Sequence, residues 1–142
     1  MKRLSRALEN AIVGSAYPAV TNPAWKDYKS AVRKYADKSK VELESNNEQS
    51  AWVSMMVFWK VAKTIKGKIT AARLTAALNK TKKLSTGGLT PLLNYTKPFG
   101  VPSLARCADR WVWRLKVQKG KIVQIGKDTP ADISGLLIRT TS

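Results

Sequence analysis

Few side chains in this sequence can do chemistry, and the gaps exclude more than the members offer. There is no histidine, so imidazole general-base catalysis and Ser-His or Cys-His nucleophile pairs cannot be assembled from its own residues. Cys107 is the single cysteine, which excludes an internal disulfide and a thiolate-rich zinc site. With no basic partner assignable to it, Cys107 reads as a small buried hydrophobe. The carboxylates Glu42, Glu44, Glu48 and Asp109 could serve acid-base work with a lysine, but nothing in their spacing favours a site over a solvated cluster. The chain is therefore read as non-enzymatic, with no cofactor and no metal.

Two glycine-containing stretches raise the question of phosphate binding. Neither "LSTGGLTPLLNYT" over residues 84–96 nor Gly126-Lys127-Asp128-Thr129 has the Gly-Lys-Ser/Thr ending that runs into a helix, so neither is a P-loop. In the first, Gly87-Gly88 turns the chain out of a helix and Pro91 forbids a return to it.

Charge is the strongest feature of the composition. Lys and Arg number 26 against 9 Asp and Glu, a net charge of +17 with a pI near 10.3. Such a field attracts polyanions, whether nucleic acid, anionic lipid or cell-wall polymer, and speaks about partners rather than fold. The 142 residues, 44% apolar, suffice for one core, so one domain is the default. No segment is apolar for long enough to span a bilayer. The opening "MKRLSRALENAIVGSAYPA" has the basic start and small residues of a secretory leader, yet Glu9 and Asn10 interrupt the apolar stretch. It is read as no functional leader, which makes the chain as given cytoplasmic.

The elements that must position these groups are three helices followed by strands. Asn22-Pro23 signals a helix start, and Trp25, Tyr28, Val32 and Tyr35 follow at helical steps, with lysines and Arg33 on the other face. That stripe reads as a core face, with a nucleic-acid surface as the weaker alternative. Ser45 and Glu48 have capping-box spacing ahead of a second helix. Its residues Ala51, Trp52, Met55, Met56, Phe58, Trp59 and Ala62 make an apolar surface that predicts burial on most sides. Gly67 supplies its stop. A third helix opens at Thr70, with Ala71, Leu74, Ala77 and Leu78 inward. From Arg110 the period becomes two: Trp111, Trp113, Leu115 and Val117 share one face, and Lys119-Gly120 turns the chain into "KIVQIG" as a hairpin. The ending "TPADISGLLIRTTS" has no clear period and reads as a strand fragment or tail.

Taken in order, "GSAYPAVTNPAWKDYKSAVRKY", "SAWVSMMVFWKVAKTIKG", "ITAARLTAALNKTKKLSTGGLTPLLNYT" and "DRWVWRLKVQKGKIVQI" resemble the C-terminal portion of the type I periplasmic binding proteins. These are the solute receptors of ABC importers of the branched-chain amino-acid, or leucine-binding, class. The resemblance covers roughly residues 14–125, and its most specific part is "TGGLTPLLNYT" with the aromatic strand and "QKGKIV" turn that follow. It implies an α/β fold of two lobes closing on a small ligand around crossing strands, of which this chain carries only part.

On that resemblance residues 1–142 form a single partial domain. Residues 1–20 are a leader remnant and a hinge-crossing strand, 21–83 are helices of the N-terminal-type lobe, and 84–142 are a loop, a second crossing and the C-terminal strands. The helices, expected over 23–37, 45–66 and 70–82, would pack on the N-terminal lobe's parallel sheet, and the final strands would cross back toward the other lobe. The resemblance implies an extracellular or periplasmic, non-enzymatic protein that binds an amino acid or similar small molecule and partners an ABC permease or the missing lobe. Tyr17 at the crossing and Asn46, Asn47 and Gln49 at the start of the second helix are the ligand-binding residues it leaves in this chain. A small basic nucleic-acid-binding protein, using the lysine faces and Trp111 with Trp113, is the alternative reading.

Overall fold

A computed structural model of the chain describes residues 7–37, 41–99, 105, 107–126 and 129–139. It is a mixed α/β structure with an antiparallel four-stranded sheet. The order is β1 (Ile12–Ser15), a 3-10 turn (Pro23–Trp25) running into α1 (Lys26–Tyr35), α2 (Asn46–Ala62), α3 (Ala71–Asn79), β2 (Trp111–Gln118), β3 (Lys121–Gln124), β4 (Ala131–Asp132) and α4 (Ser134–Arg139). The opening basic residues 1–6, part of the leader reading, lie outside the described residues.

β2 is the centre of the sheet. Its alternation puts Trp113, Leu115 and Val117 on the buried face while Arg114 and Gln118 stay exposed, as the period of two predicts. Trp111 is only half-buried. β1 pairs with β2 from Ile12↔Lys116 to Ser15↔Trp113, and β3 pairs with it from Leu115↔Gln124 to Gln118↔Lys121. The turn between β2 and β3 is Lys119-Gly120, both at positive φ (52° and 70°), the left-handed pair that matches the twist of a two-residue hairpin. The Glu9 carboxylate accepts from both turn amides, at 2.9 Å from Lys119 and 3.4 Å from Gly120, tying the N-terminal segment to a turn 110 residues away. Asp132 on β4 accepts from the Ser134 amide and hydroxyl. Those bonds, the hydroxyl's first, hold its carboxyl below the usual aspartate value, with a smaller pull from Arg110. They also start α4, a helix too short to leave a period in the sequence.

The helices build two clusters of their own. Trp25, Tyr28, Tyr17, Val53 and Leu89 form one, with Trp52 and Met56 packed against it. Its rings meet edge-on or tilted, Tyr17 to Trp25 at 5.9 Å, Trp25 to Tyr28 at 5.3 Å and Tyr28 to Trp52 at 5.5 Å between centroids. Val61, Leu84 and Leu93 form the other, against Leu74, Ala77 and Leu78 of α3. Residues 84–96 make a closed loop: Leu84 and Leu93 exchange both backbone hydrogen bonds at 3.0 Å, and the Thr86 hydroxyl accepts from the Thr90 amide at 2.8 Å. The turn at Gly87-Gly88 drives Leu89 into the first cluster with no exposed surface. That is the work of the double glycine, which lies inside this loop and not at the end of α3, so the expectation that it turns the chain out of a helix is corrected.

Several expectations are corrected. Tyr35 steps correctly from Val32 but is the last residue of α1, beyond the core, and is 77% exposed with the Lys34 ammonium 5.0 Å from its ring centroid. α2 stops at Ala62, four residues before its expected end, where the Thr64 amide and hydroxyl both take the Val61 carbonyl. α3 ends at Asn79, because the Thr81 hydroxyl takes the Ala77 carbonyl and Lys80 closes the helix. Ser45 occupies the cap position of α2 without a side-chain bond; Gln49 secures this end instead, donating through Nε2 to the Leu43 carbonyl at 2.9 Å. The expected burial of α2 on most sides is not found. Met55, Phe58 and Trp59 are 62%, 40% and 60% exposed.

Candidate functional site

An apolar hollow lies between α2 and α3. Val53, Val57, Phe58 and Val61 project from α2, and Leu74 and Leu78 from α3, into a half-open cavity of about 360 Å³. Its remaining wall carries the polar groups: Tyr17 after β1, Thr90 and Tyr95 from the closed loop, and Asp109 just before β2. Few polar groups converging on an apolar wall is the usual make-up of a small-molecule site.

Asp109 is fixed by local bonds. Its Oδ1 accepts from the Trp111 amide at 3.1 Å, and its carbonyl accepts from the Cys107 thiol at 2.8 Å. Burial pushes the Asp109 carboxyl above the ordinary aspartate value, against the Trp111 amide, which lowers it. Burial also raises the Tyr95 hydroxyl, with the charges of Asp109 and then Tyr17 adding to the rise. The hollow thus offers one carboxylate and two phenols against an apolar floor, a set suited to a small ligand with an ammonium or hydroxyl group. Cys107 is half-buried with its thiol engaged, so it fills space as the sequence leads one to expect, though without full burial.

The four residues expected at the ligand fall in different places. Tyr17 lines this hollow, while its amide donates to Ser15 Oγ at 3.2 Å. Asn46 and Gln49 line a second groove of about 350 Å³, along residues 13–20 and the hairpin residues Leu115 and Ile122. Gln49 is buried and its amide is committed to the Leu43 carbonyl. Asn47 is exposed and lines neither cavity. The sequence does not single out Thr90 or Tyr95 for a site, and it offers Asp109 only as one of four carboxylates whose spacing favours none. These three residues come from a loop and a strand approach with no shared motif; the pairing of Leu84 with Leu93 closes the loop against Val61 of α2, and Lys60 donates to the Ser85 carbonyl at 2.7 Å.

Other chemistry is sparse. Glu42 and Glu44 are exposed, whereas Glu48 is half-buried near Tyr28, whose hydroxyl is pushed up by burial first and then by the Glu48 charge. Among the described residues no three His, Cys, Asp or Glu side chains are grouped to hold a metal ion. No helix among them is long and apolar enough to cross a membrane. Trp113 is buried with Ala19 and Leu115, so its ring does not lie open beside Trp111. Comparison of the chain with models of protein families, with curated proteins and with solved structures gave no match.

Proposed function

We propose that this chain is the C-terminal part of a type I solute-binding protein of an ABC-type importer for amino acids or similar small molecules, and that it works by binding, not catalysis. The order of its sequence segments is the basis of that reading. One structural observation supports it: α2 is apolar on two opposite sides. Val53, Val57 and Val61 face the hollow and the helical clusters, while Ala51, Met55 and Trp59 form a stripe on the other side that stays exposed, with the Lys63 ammonium 5.3 Å from the Trp59 ring centroid. A helix at the surface of a finished globule places polar residues there; one apolar on both sides has two layers to contact. A second lobe of the receptor, supplying the sheet these helices would cover, is the layer the resemblance implies.

In this reading the hollow and the groove beside β1 are this chain's share of a cleft, with Tyr17, Asn46 and Gln49 at its wall and the charged ends of the ligand held mainly by the other lobe. Isothermal titration of the chain alone with a panel of amino acids and small carboxylates is expected to give no micromolar binding. Joined to a preceding lobe of a type I receptor, the chain should bury Trp59, shifting to the blue the part of the emission that Trp59→Phe removes. Micromolar affinity in the chain alone, or an unchanged Trp59 contribution in the joined protein, overturns the reading.

A further inference from the structure

A second concavity, on the far side of α3 from the candidate site, has the opposite electrical character. Between the connection that follows α2 and one side of α3, from Arg73 to the residues just past its end, lies an open recess of about 530 Å³. Lys66, Arg73 and Lys80 line it, beside Thr64 and Thr81, with no carboxylate. The imbalance extends well beyond the recess: from Gln49 to Ala108 there are ten lysines and arginines and no aspartate or glutamate. None of the three lining cations makes an ion pair among the described residues. Gathering them without a counter-charge costs free energy that an anion would recover.

Arg73 is already positioned. Its Nη1 donates to the carbonyls of Lys66 at 3.2 Å and Lys68 at 3.1 Å, and Gly67 between them passes so close that a Cβ there would lie 3.4 Å from that nitrogen. One corner of the guanidinium is thereby fixed, and Nη2 and Nε remain to donate. The C-terminal ends of α2 and α3 both open on this recess, and free carbonyls there would repel an anion. Four of those carbonyls are taken. Val61 O accepts from the Thr64 amide and hydroxyl, Ala62 O from Ile65, Ala77 O from Lys80 and the Thr81 hydroxyl, and Leu78 O from Thr81.

We propose that this recess binds a phosphate group, with Arg73 as the fixed ligand and the flexible Lys66 and Lys80 closing on its oxygens. Its volume of about 530 Å³ leaves room for what the phosphate is esterified to, either a soluble metabolite or a lipid headgroup. The site is separate from the hollow lined by Asp109 and does not depend on the solute-binding reading.

Titration of the full chain with pyrophosphate, and in parallel with vesicles of phosphatidylcholine with or without phosphatidic acid, tests the site at low and at physiological ionic strength. Arg73→Gln and Lys80→Gln should each weaken binding by about tenfold. Lys121→Gln on β3 removes the same charge elsewhere and should change it by less than about twofold. A loss seen only with phosphatidic acid vesicles assigns the phosphate to a lipid headgroup; a loss with pyrophosphate assigns it to a soluble ester. Because Arg73 also fastens residues 66–68, circular dichroism checks each fold, and Lys80→Gln decides the matter if Arg73→Gln unfolds. Absence of saturable binding in both arms, or equal weakening by Lys121→Gln, overturns the site.

Discussion

The indole Nε1 of Trp25 donates to the carbonyl oxygen of Pro18 at 3.0 Å, and both residues are sealed from solvent. This bond joins the segment leaving β1 to the turn that starts α1, at the point where Asn22 Oδ1 accepts from the Ala24 amide at 2.9 Å. Trp25→Phe keeps most of the ring but leaves the Pro18 carbonyl buried without a donor. Loss of the bond should cost about 1–3 kcal/mol in urea unfolding at unchanged m-value. Trp25→Ala, which also opens a cavity among Tyr17, Tyr28 and Leu89, should cost about 3–5 kcal/mol.

The sequence carried the local features and lost the assembled ones, for reasons visible in individual residues. Trp113, Leu115 and Val117 alternate, and Lys119-Gly120 adopts left-handed angles, because strand pleat and turn geometry are decided by neighbours in the chain. Asn22-Pro23 and Thr70 start helices for the same reason. Glu48 fails as a capping partner because the Ser45 amide it would accept from already donates to the Glu42 carbonyl at 2.8 Å, a contact set by how the loop before α2 folds back. The hollow is assembled from five separate stretches, at Tyr17, residues 53–61, residues 74–78, residues 90–95 and residues 108–109, so no motif could announce it. Arg73 likewise gains its meaning only from the two carbonyls that hold it.

The hairpin turn is suboptimal at one of its two residues. Lys119 holds φ at 52°, a region costly for a side chain with a Cβ, whereas Gly120 at 70° pays no such cost. Lys119→Asn creates the favoured Asn-Gly pair and should stabilise the chain by about 0.5–1 kcal/mol. Gly120→Ala should destabilise it by about 1–2 kcal/mol. Thermal unfolding of the two variants should move in opposite directions; movement in the same direction contradicts the turn geometry.

The two apolar sides of α2 should respond differently to substitution. Phe58→Ser touches the rim of the hollow, so Met55→Ser and Trp59→Ser are the cleaner changes to the open stripe. Each should alter unfolding free energy by no more than about 0.5 kcal/mol in this chain. Leu89→Ala, at a residue with no exposed surface in the cluster that α2 covers through Val53, should cost about 2–5 kcal/mol. Chemical denaturation measures both, and a large loss from Met55→Ser would mean that the stripe is covered within the chain itself.

Asp109 makes stability depend on pH in a direction that can be stated beforehand. Burial raises its carboxyl above the unfolded value of about 3.9, so the folded state holds this proton more tightly than the unfolded chain does. Its contribution to stability is therefore greatest below the unfolded value and is lost as pH rises through the raised folded value, beyond which a charge sits in the hollow. Asp109→Asn removes that charge and keeps an oxygen to accept from the Trp111 amide. The variant should be more stable than the parent at pH 7, and the difference should close as pH falls into the aspartate range and the parent becomes protonated. Asp27→Asn, on the exposed face of α1, makes the same change in net charge and serves as the control for it. Urea midpoints measured across pH for the three proteins give the answer, and an Asp109→Asn advantage that is absent at pH 7 or constant with pH would show that burial does not govern this carboxyl.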